Sequence, residues 1–141
     1  RDIKLKIVGS GSLSYLLEDI PGVSVTGFIS QMKLEEHFSQ ADCFILPSSF
    51  EPWGVAVHEA ACSGLPLVIS DAVGAADTFL IDGFNGYLFK SGSVFELTSK
   101  LEKIISIDDE TLNKFGQRSL ELSRRISPTI SAHSLVAIIR Q

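Results

Sequence analysis

Short apolar runs alternate with amphipathic stretches along most of the chain. Glycine, proline and polar turn residues bound the apolar runs, which predict strands over 4–8, 23–26, 43–46, 67–69 and 87–89. Apolar residues at helical spacing predict helices over 14–17, 32–40, 54–62, 75–81, 94–107, 108–125 and 130–138. Because helices separate the strands, the pattern predicts an α/β fold with a mainly parallel sheet covered by helices on both faces.

Turn and capping residues mark several of the predicted boundaries. Ser30 and Asp108 each precede a helical stretch, and both residue types are favoured as helix N-caps. Gly64 follows a helical stretch as a typical helix stop. The dipeptide Asp82-Gly83 is typical of a turn. Local backbone chemistry therefore supports the boundaries that the hydrophobic pattern predicts.

Length and charge limit the function classes. The 141 residues suffice for one domain with a substantial core. The net charge is -5 and the basic residues are scattered, which argues against binding to nucleic acid. No apolar run approaches the roughly 18 residues that a membrane span needs. A globular α/β domain that acts on a small molecule fits these limits.

The two cysteines bear on the compartment. Cys43 and Cys62 lie among apolar residues, so we expect two buried thiols in a reducing compartment such as the cytoplasm. No cluster of metal ligands stands out, and we expect no metal site. The sequence opens on Arg1 and a predicted strand follows within a few residues, so we expect it to be a piece of a longer protein.

The segment over 47–60 carries the strongest functional signal. A predicted strand stops at Pro47, a polar turn follows, and a helix of small residues begins near Gly54. A strand that runs through a turn into a helix N-terminus is a common phosphate-binding arrangement in α/β proteins. Glu51 in the turn and Glu59 in the helix add carboxylates that can accept hydrogen bonds from sugar or ribose hydroxyls. The segment therefore predicts a nucleotide-sugar site.

Two other sequence features could indicate a cofactor site or a catalytic residue. Gly9-Ser10-Gly11 matches half of a dinucleotide fingerprint, but Ser14 stands where the third glycine belongs and no acidic residue ends the second strand. This argues against a nicotinamide cofactor. His58 is adjacent to Glu59 and points to a different side of the helix, so we expect it to serve packing or the surface.

Several spaced motifs resemble one enzyme family. They are ADCFILPS over 41–48, a Glu-x7-Glu frame formed by Glu51 and Glu59, EAACSGLPLVIS over 59–70, GAAD over 74–77 and DGFNGYLF over 82–89. In this order they resemble the retaining glycosyltransferases of the group 1 type, over nearly all of residues 3–107. The resemblance implies the two-domain GT-B architecture. The chain would be a partial carboxyl-terminal, Rossmann-like domain over 1–141 that binds the nucleotide-sugar, with 108–141 as its last helices.

The resemblance implies roles for the two glutamates. Glu59 matches the residue that accepts hydrogen bonds from both ribose hydroxyls of the nucleotide. Glu51 matches the residue that contacts the hydroxyls of the donor sugar, and it is the candidate catalytic residue.

Backbone groups complete the implied donor site. The N–H groups that would face the sugar and diphosphate belong to Trp53, Gly54, Val55 and Ala56. The base would lie near Gly27 and Phe28, where the second predicted strand ends. The resemblance implies neither a bound metal nor a cofactor, because the nucleoside-diphosphate sugar is the donor substrate.

The resemblance also implies parts that precede the sequence. One is a central strand and a helix with an Arg and a Lys that grip the diphosphate. The expected strand order with this gap is 23–25, 4–8, a gap, 43–46, 67–69 and 87–89. The alternative is that strands 4–8 and 43–46 close the gap by pairing directly in a shifted sheet. Another is an amino-terminal domain that binds a glycan or lipid-linked acceptor. We expect these 141 residues alone to be marginally stable, to associate through exposed strand edges and to be inactive. The full-length enzyme would be cytoplasmic, with peripheral membrane association where the acceptor is lipid-linked.

Three function classes stay open at this point. Phe50-Glu51-Pro52 is similar to glycogen and starch synthases, which usually lack the pair Glu59-Ala60, so transfer to a bacterial surface polysaccharide fits better. The second class is a sugar-nucleotide 2-epimerase, an isomerase that shares the GT-B architecture. The third is a non-catalytic nucleotide-binding module.

Overall fold

A computed structural model describes residues 2–17, 19–127 and 129–130. The chain divides into two compact units, an amino-terminal unit that ends at Gln40 and a carboxyl-terminal unit that begins at Ala41. The predicted helix over 130–138 lies outside the described residues, apart from Ile130.

The amino-terminal unit contains a small parallel sheet. Strands β1 (Leu5–Ile7) and β2 (Val23–Val25) pair in parallel. A 3-10 helix over Ser14–Leu17 connects them, and helix α1 (Gln31–Ser39) follows β2. Phe38 of α1 is buried, whereas many apolar side chains of this unit are exposed.

The carboxyl-terminal unit is built on a three-stranded parallel sheet. Its strands are β3 (Phe44–Leu46), β4 (Leu67–Ser70) and β5 (Gly86–Phe89), in the order β3-β4-β5. Its helices include α2 (Val55–Cys62), α3 (Ala76–Phe79), α4 (Val94–Ser106) and α5 (Asp109–Ser123). The central strand β4 is fully buried, which explains why its sequence is an unbroken apolar run up to Ser70.

The strand pairing confirms the neighbours that the sequence predicts. β2 pairs with β1, and β4 pairs with both β3 and β5. Among the described residues β1 and β3 do not pair, which agrees with the first of the two predicted alternatives. The α/β class with parallel sheets and flanking helices is confirmed.

Both faces of β4 are covered. Val68 packs in one cluster with Phe89 of β5, Ile104 of α4 and Phe115 of α5. Neighbouring strand residues point to opposite faces, and Ile69 is also fully buried. The central strand is therefore enclosed on both faces, whereas β3 at the edge of the sheet is only half-buried.

Side-chain caps fix the starts of the two long helices. The Ser93 hydroxyl accepts a hydrogen bond from the Glu96 N–H at 3.2 Å at the start of α4. The Asp108 carboxylate accepts from the Thr111 N–H at 2.8 Å at the start of α5, which confirms the predicted cap. This bond and a second one from the Thr111 hydroxyl lower the pKa of Asp108 below its usual value. Ser30 occupies the N-cap position of α1, but its side chain makes no cap hydrogen bond there, so its capping role was predicted wrongly.

The two cysteines differ in how deeply they are buried. Cys43 is partly buried, and burial, together with the nearby Asp42 carboxylate, raises its pKa to about 12. Cys62 is exposed on α2, so the expectation of two buried thiols was wrong for this residue. The buried face of α2 consists of Val57, Ala60 and Ala61, and helical spacing turns Cys62 away from it.

Asn85 connects the loop before β5 to α5. Its side-chain N–H groups donate to the Phe79 carbonyl at 2.9 Å and to the Ser119 hydroxyl at 3.0 Å. Its side-chain oxygen accepts from the Ile81 N–H at 2.8 Å. Since Asn85 and Ser119 are both fully buried, water does not compete for these bonds.

We predict that Asn85→Ala lowers the free energy of unfolding by about 2–3 kcal/mol, because it leaves buried polar groups without partners. The matched control is Asn113→Ala on the exposed side of α5, which we expect to change stability by less than about 0.5 kcal/mol. Urea unfolding of both variants measures the difference. Equal effects of the two substitutions would contradict the stabilising role of the Asn85 network.

Candidate functional site

The loop between β3 and α2 lies at the carboxyl end of the sheet and pairs with the loop after β4. The Glu51 N–H donates to the Ala72 carbonyl at 3.0 Å, and the Gly74 N–H donates to the Glu51 carbonyl at 3.0 Å. The Ala75 N–H donates to the Trp53 carbonyl at 2.7 Å. These bonds extend the parallel pairing of β3 and β4 beyond the strands, and they hold the turn that contains Glu51 in a defined position.

Serine side chains anchor the start of the same loop. The buried hydroxyl of Ser70, the last residue of β4, donates to the Ser48 carbonyl. The Asp71 carboxylate accepts from the Ser91 N–H at 2.7 Å, which ties the loop after β4 to the loop after β5. All three loops at this end of the sheet are thus connected.

Gly54 forms the junction between the loop and α2. Its backbone is left-handed, with φ 92° and ψ 68°, and the residue is buried. A Cβ at this position would lie 2.9 Å from Cγ1 of Val73 and 3.2 Å from Cγ of Glu51. Both the conformation and the space therefore require glycine.

The N-terminus of α2 has no side-chain cap. Within the part of the chain that the structure describes, the N–H groups of Gly54, Val55 and Ala56 donate to no other residue. The first turn of the helix also contains no acidic residue. Unsatisfied N–H groups at a helix N-terminus carry roughly half a positive charge and form a site for an anion.

Glu51 turns back on its own loop. Its carboxylate accepts a hydrogen bond from the Trp53 N–H at 3.3 Å. The Trp53 amide, which was predicted to face a ligand, is thus directed at Glu51 in this structure. The bond fixes the carboxylate beside the start of α2.

Glu59 lies on the side of α2 that faces away from the core. Helical spacing places it with Val55 and Ala56, whereas Val57 and Ala60 are buried against the sheet. The residue itself is half-buried. A carboxylate is therefore present on the helix face that begins at the uncapped N-terminus.

Aromatic packing accounts for His58 and partly for Trp53. The His58 ring stacks on Phe79 with centroids 4.5 Å apart, and its Nε2 lies 3.0 Å from the Ser123 carbonyl. Because a carbonyl only accepts, Nε2 carries the proton. Trp53 meets the Phe79 ring edge-on at 6.2 Å and stays 41% exposed. His58 therefore serves packing, as predicted, while part of Trp53 is open to a ligand.

A family model described as "Glycosyl transferases group 1" matches residues 1–121. The chain belongs to the group 1 glycosyltransferases.

Individual relatives of the chain are named as members of the same enzyme class. The chain is 32% identical over 126 residues to the sulfoquinovosyl transferase SQD2 of Arabidopsis thaliana, covering 85% of the chain and 24% of that protein. It is 36% identical over 88 residues to a GDP-mannose-dependent alpha-mannosyltransferase of Corynebacterium glutamicum, covering 62% of the chain and 21% of that protein. The chain thus spans about a quarter of the length of the curated relatives it matches.

A solved structure supports the fold. The pneumococcal O-GlcNAc transferase GtfA, in complex with UDP and GlcNAc, superposes with a TM-score of 0.79 at 23% identity, over 97% of this chain and 29% of that one. This likeness confirms the Rossmann-like fold of GT-B glycosyltransferases.

The remaining predicted site residues, Gly27 and Phe28, lie in the amino-terminal unit. Gly27 has a left-handed backbone with φ 70°, and its carbonyl accepts from the Gly9 N–H at 3.0 Å. Phe28, which follows the end of β2, is 89% exposed. The contacts within this unit do not test whether the two residues bind a base, so that role stays a prediction.

A cavity of the chain lies away from the candidate site. A shallow cavity of about 120 Å³ is lined at the amino ends of β3 and β4 by Asp42, Leu65 and Asn113 among others, at the opposite end of the sheet from Glu51. Among the described residues, no three His, Cys, Asp or Glu side chains are grouped to hold a metal ion. Within the same residues, none of the helices is both long and apolar enough to cross a bilayer.

Sequence reasoning missed the loop after β4 as part of the site. The motif GAAD over 74–77 matched the family pattern, but no role was assigned to it. Its first residues form the backbone support of Glu51 and Trp53. Gly74 was the available signal, since glycine in a loop often marks a close backbone approach.

We predict that Gly54→Ala lowers the free energy of unfolding by about 2–5 kcal/mol, because left-handed strain adds to a clash with buried Val73. The control is Gly83→Ala, where φ is 73° but a Cβ would meet no atom within 4 Å. Only strain applies there, so we expect a loss of about 1–2 kcal/mol. Thermal unfolding compares the two variants, and an equal loss in both would show that Gly54 is not sterically constrained.

Proposed function

We propose that this chain forms the nucleotide-sugar donor site of a retaining glycosyltransferase. The observation that carries the proposal is the uncapped N-terminus of α2, with Glu51 before it and Glu59 within the helix, at the carboxyl end of the parallel sheet. Ligands of open α/β sheets bind outside this end of the strands. Membership of the group 1 family supports the reaction class.

The donor is proposed to be a nucleoside-diphosphate sugar. The name of the Corynebacterium relative specifies GDP-mannose, and the GtfA complex contains UDP and GlcNAc. The base and the sugar differ between these two proteins, whereas a sugar nucleotide is common to both. Helix α2 fits a sugar nucleotide, because the N–H groups at its start can bind a diphosphate and its carboxylate can bind a ribose diol.

The N–H groups of Gly54, Val55 and Ala56 bind the diphosphate in this proposal. During transfer, the bond between the anomeric carbon of the sugar and the diphosphate oxygen breaks, and the negative charge of the leaving group grows. A helix N-terminus stabilises that charge without any reorganisation of its N–H groups. The helix therefore contributes to the rate as well as to donor binding.

The two glutamates contact different parts of the donor. Glu59 holds the ribose, because a carboxylate with about four acceptor positions can bind both hydroxyls of a vicinal diol. Glu51 contacts the hydroxyls of the sugar, and its bond from the Trp53 N–H keeps the carboxylate oriented. The exposed part of Trp53 lines the same region.

The acceptor is proposed to be a glycan or a lipid-linked sugar in surface polysaccharide synthesis. One relative, the poly(glycerol-phosphate) alpha-glucosyltransferase of Bacillus subtilis, is named for a polymer and is 27% identical over 133 residues. We place the protein in the cytoplasm, where sugar nucleotides are made, with peripheral membrane contact when the acceptor is lipid-linked. No nucleic acid takes part.

A donor panel tests the proposed reaction. The protein from its whole gene is incubated with UDP-, GDP- and ADP-sugars, with and without glycan acceptors, and the products are identified by mass spectrometry and NMR. Transfer with retained anomeric configuration supports the proposal. Epimerisation of the sugar nucleotide identifies an isomerase instead, and binding without any product identifies a non-catalytic module.

We predict that Glu59→Ala weakens the binding of the nucleoside diphosphate about ten- to a hundredfold, because charge-assisted hydrogen bonds worth about 1.5–3 kcal/mol are lost. Glu102→Ala, on the exposed side of α4, is the matched control and should leave the affinity unchanged. Titration calorimetry measures both. An unaltered affinity in Glu59→Ala would remove this residue from the ribose role.

We predict a different effect for Glu51→Gln, which keeps the size of the side chain but removes its charge. Its proposed partner is the sugar, so kcat should fall at least about tenfold while the affinity for the free nucleoside diphosphate stays within about twofold. Steady-state kinetics and calorimetry on the same preparation separate the two quantities. A loss of diphosphate affinity with an unchanged kcat would contradict the assignment.

A further inference from the structure

The loop after β4 lies directly against the backbone of the loop that carries Glu51. If Gly74 had a Cβ, that atom would lie against the carbonyl oxygen of Pro52, 3.1 Å from the Pro52 carbonyl carbon and 3.6 Å from Cα of Trp53. Every one of these neighbours is a backbone atom, so none can move aside by a change of rotamer. The two main chains therefore touch at Gly74.

Conformation does not require glycine here. The backbone of Gly74 is not left-handed, and the residue is exposed to solvent. An exposed residue with an ordinary backbone usually tolerates a methyl group. Glycine is thus required at this position only because the Pro52 backbone occupies the space that a Cβ would need.

The close approach determines where the Glu51 carboxylate lies. Gly74 donates its N–H to the Glu51 carbonyl, and Ala75 donates to the Trp53 carbonyl. These two bonds fix the residues on either side of Pro52. The carboxylate of Glu51 in turn accepts from the Trp53 N–H, so both ends of that bond are held by the loop after β4.

We propose that Gly74 is a positioning residue, which sets the Glu51 carboxylate for its contact with the donor sugar by admitting the Pro52 backbone. The proposal rests on the proposed function, because it gives a role to the same carboxylate. Gly74 has no side chain, and its N–H is already donated to the Glu51 carbonyl. Its effect passes through Pro52 and Glu51 to the reacting sugar.

Gly74→Ala tests this role. The added methyl pushes the loop of Glu51 away from the loop after β4, and a displacement of about 1 Å can cost up to a hundredfold in rate, so we expect kcat to fall at least about tenfold. Glu59 belongs to a helix whose Val57, Ala60 and Ala61 are buried. The affinity for the free nucleoside diphosphate should therefore stay within about threefold.

Gly116→Ala is the matched control. Gly116 also lacks a left-handed backbone, and its Cβ would lie against the carbonyl oxygen of Gly64. The same kind of backbone clash is thus introduced between α5 and the end of α2, away from Glu51. We expect a lower melting temperature with a kcat of the folded protein within about twofold of the wild type.

Val73→Ala provides a second variant if Gly74→Ala does not fold. It adds no atom and removes the methyl groups that face Gly54, so it loosens the same pairing of Val73 with Glu51. We expect kcat to fall about threefold or more, again with the diphosphate affinity retained.

The experiment measures kcat with the identified donor, the melting temperature and the diphosphate affinity of all variants in the protein from its whole gene. A selective loss of kcat in Gly74→Ala, or in Val73→Ala when the former does not fold, supports the proposal. Retained kcat, or parallel losses of kcat and affinity as in a merely structural role, overturns it. Failure of the proposed function is distinguishable, since Glu59→Ala would then leave diphosphate binding unchanged.

Discussion

Two loops that follow neighbouring parallel strands meet backbone to backbone at the carboxyl end of the sheet. The pairing of Glu51 with Val73 continues the β3–β4 ladder beyond both strands, and it is sterically allowed only because Gly54 and Gly74 lack a Cβ. This contact determines where the Glu51 carboxylate lies. The Glu51 side of the candidate site depends on it, whereas buried Val57, Ala60 and Ala61 hold α2 and Glu59 in place.

The start of α2 differs from the starts of α4 and α5. At α4 and α5 the side chains of Ser93 and Asp108 cap the N-terminus, and such a cap contributes about 0.5–2 kcal/mol. At α2 the corresponding position is Gly54, which offers no side-chain acceptor. The N–H groups at the start of α2 therefore have no acceptor among the described residues. The helix tolerates this because its buried residues attach it to the fully buried strand β4.

Structural features that depend on a few adjacent residues were predictable from the sequence. The apolar run of β4 and the cap at Asp108 were predicted because each follows from a few adjacent residues. Cys62 was misjudged because its apolar neighbours indicate a buried helix, while its own position is set by the direction of Val57, Ala60 and Ala61. The bond from the Trp53 N–H to Glu51 was not predictable because it depends on the conformation of the turn. The approach of Gly74 to Pro52 was not predictable because it depends on how two loops that are far apart in sequence meet.

The central claim is that the uncapped start of α2 binds the diphosphate of the donor. Hydrogen–deuterium exchange of the protein from its whole gene, with and without the nucleoside diphosphate that binds best, measures it directly. The account predicts that exchange slows in the peptide over 51–60, at the N–H groups of Gly54, Val55 and Ala56. Unchanged exchange in this peptide, with protection instead around Asp42, Leu65 and Asn113 at the opposite end of the sheet, would contradict it.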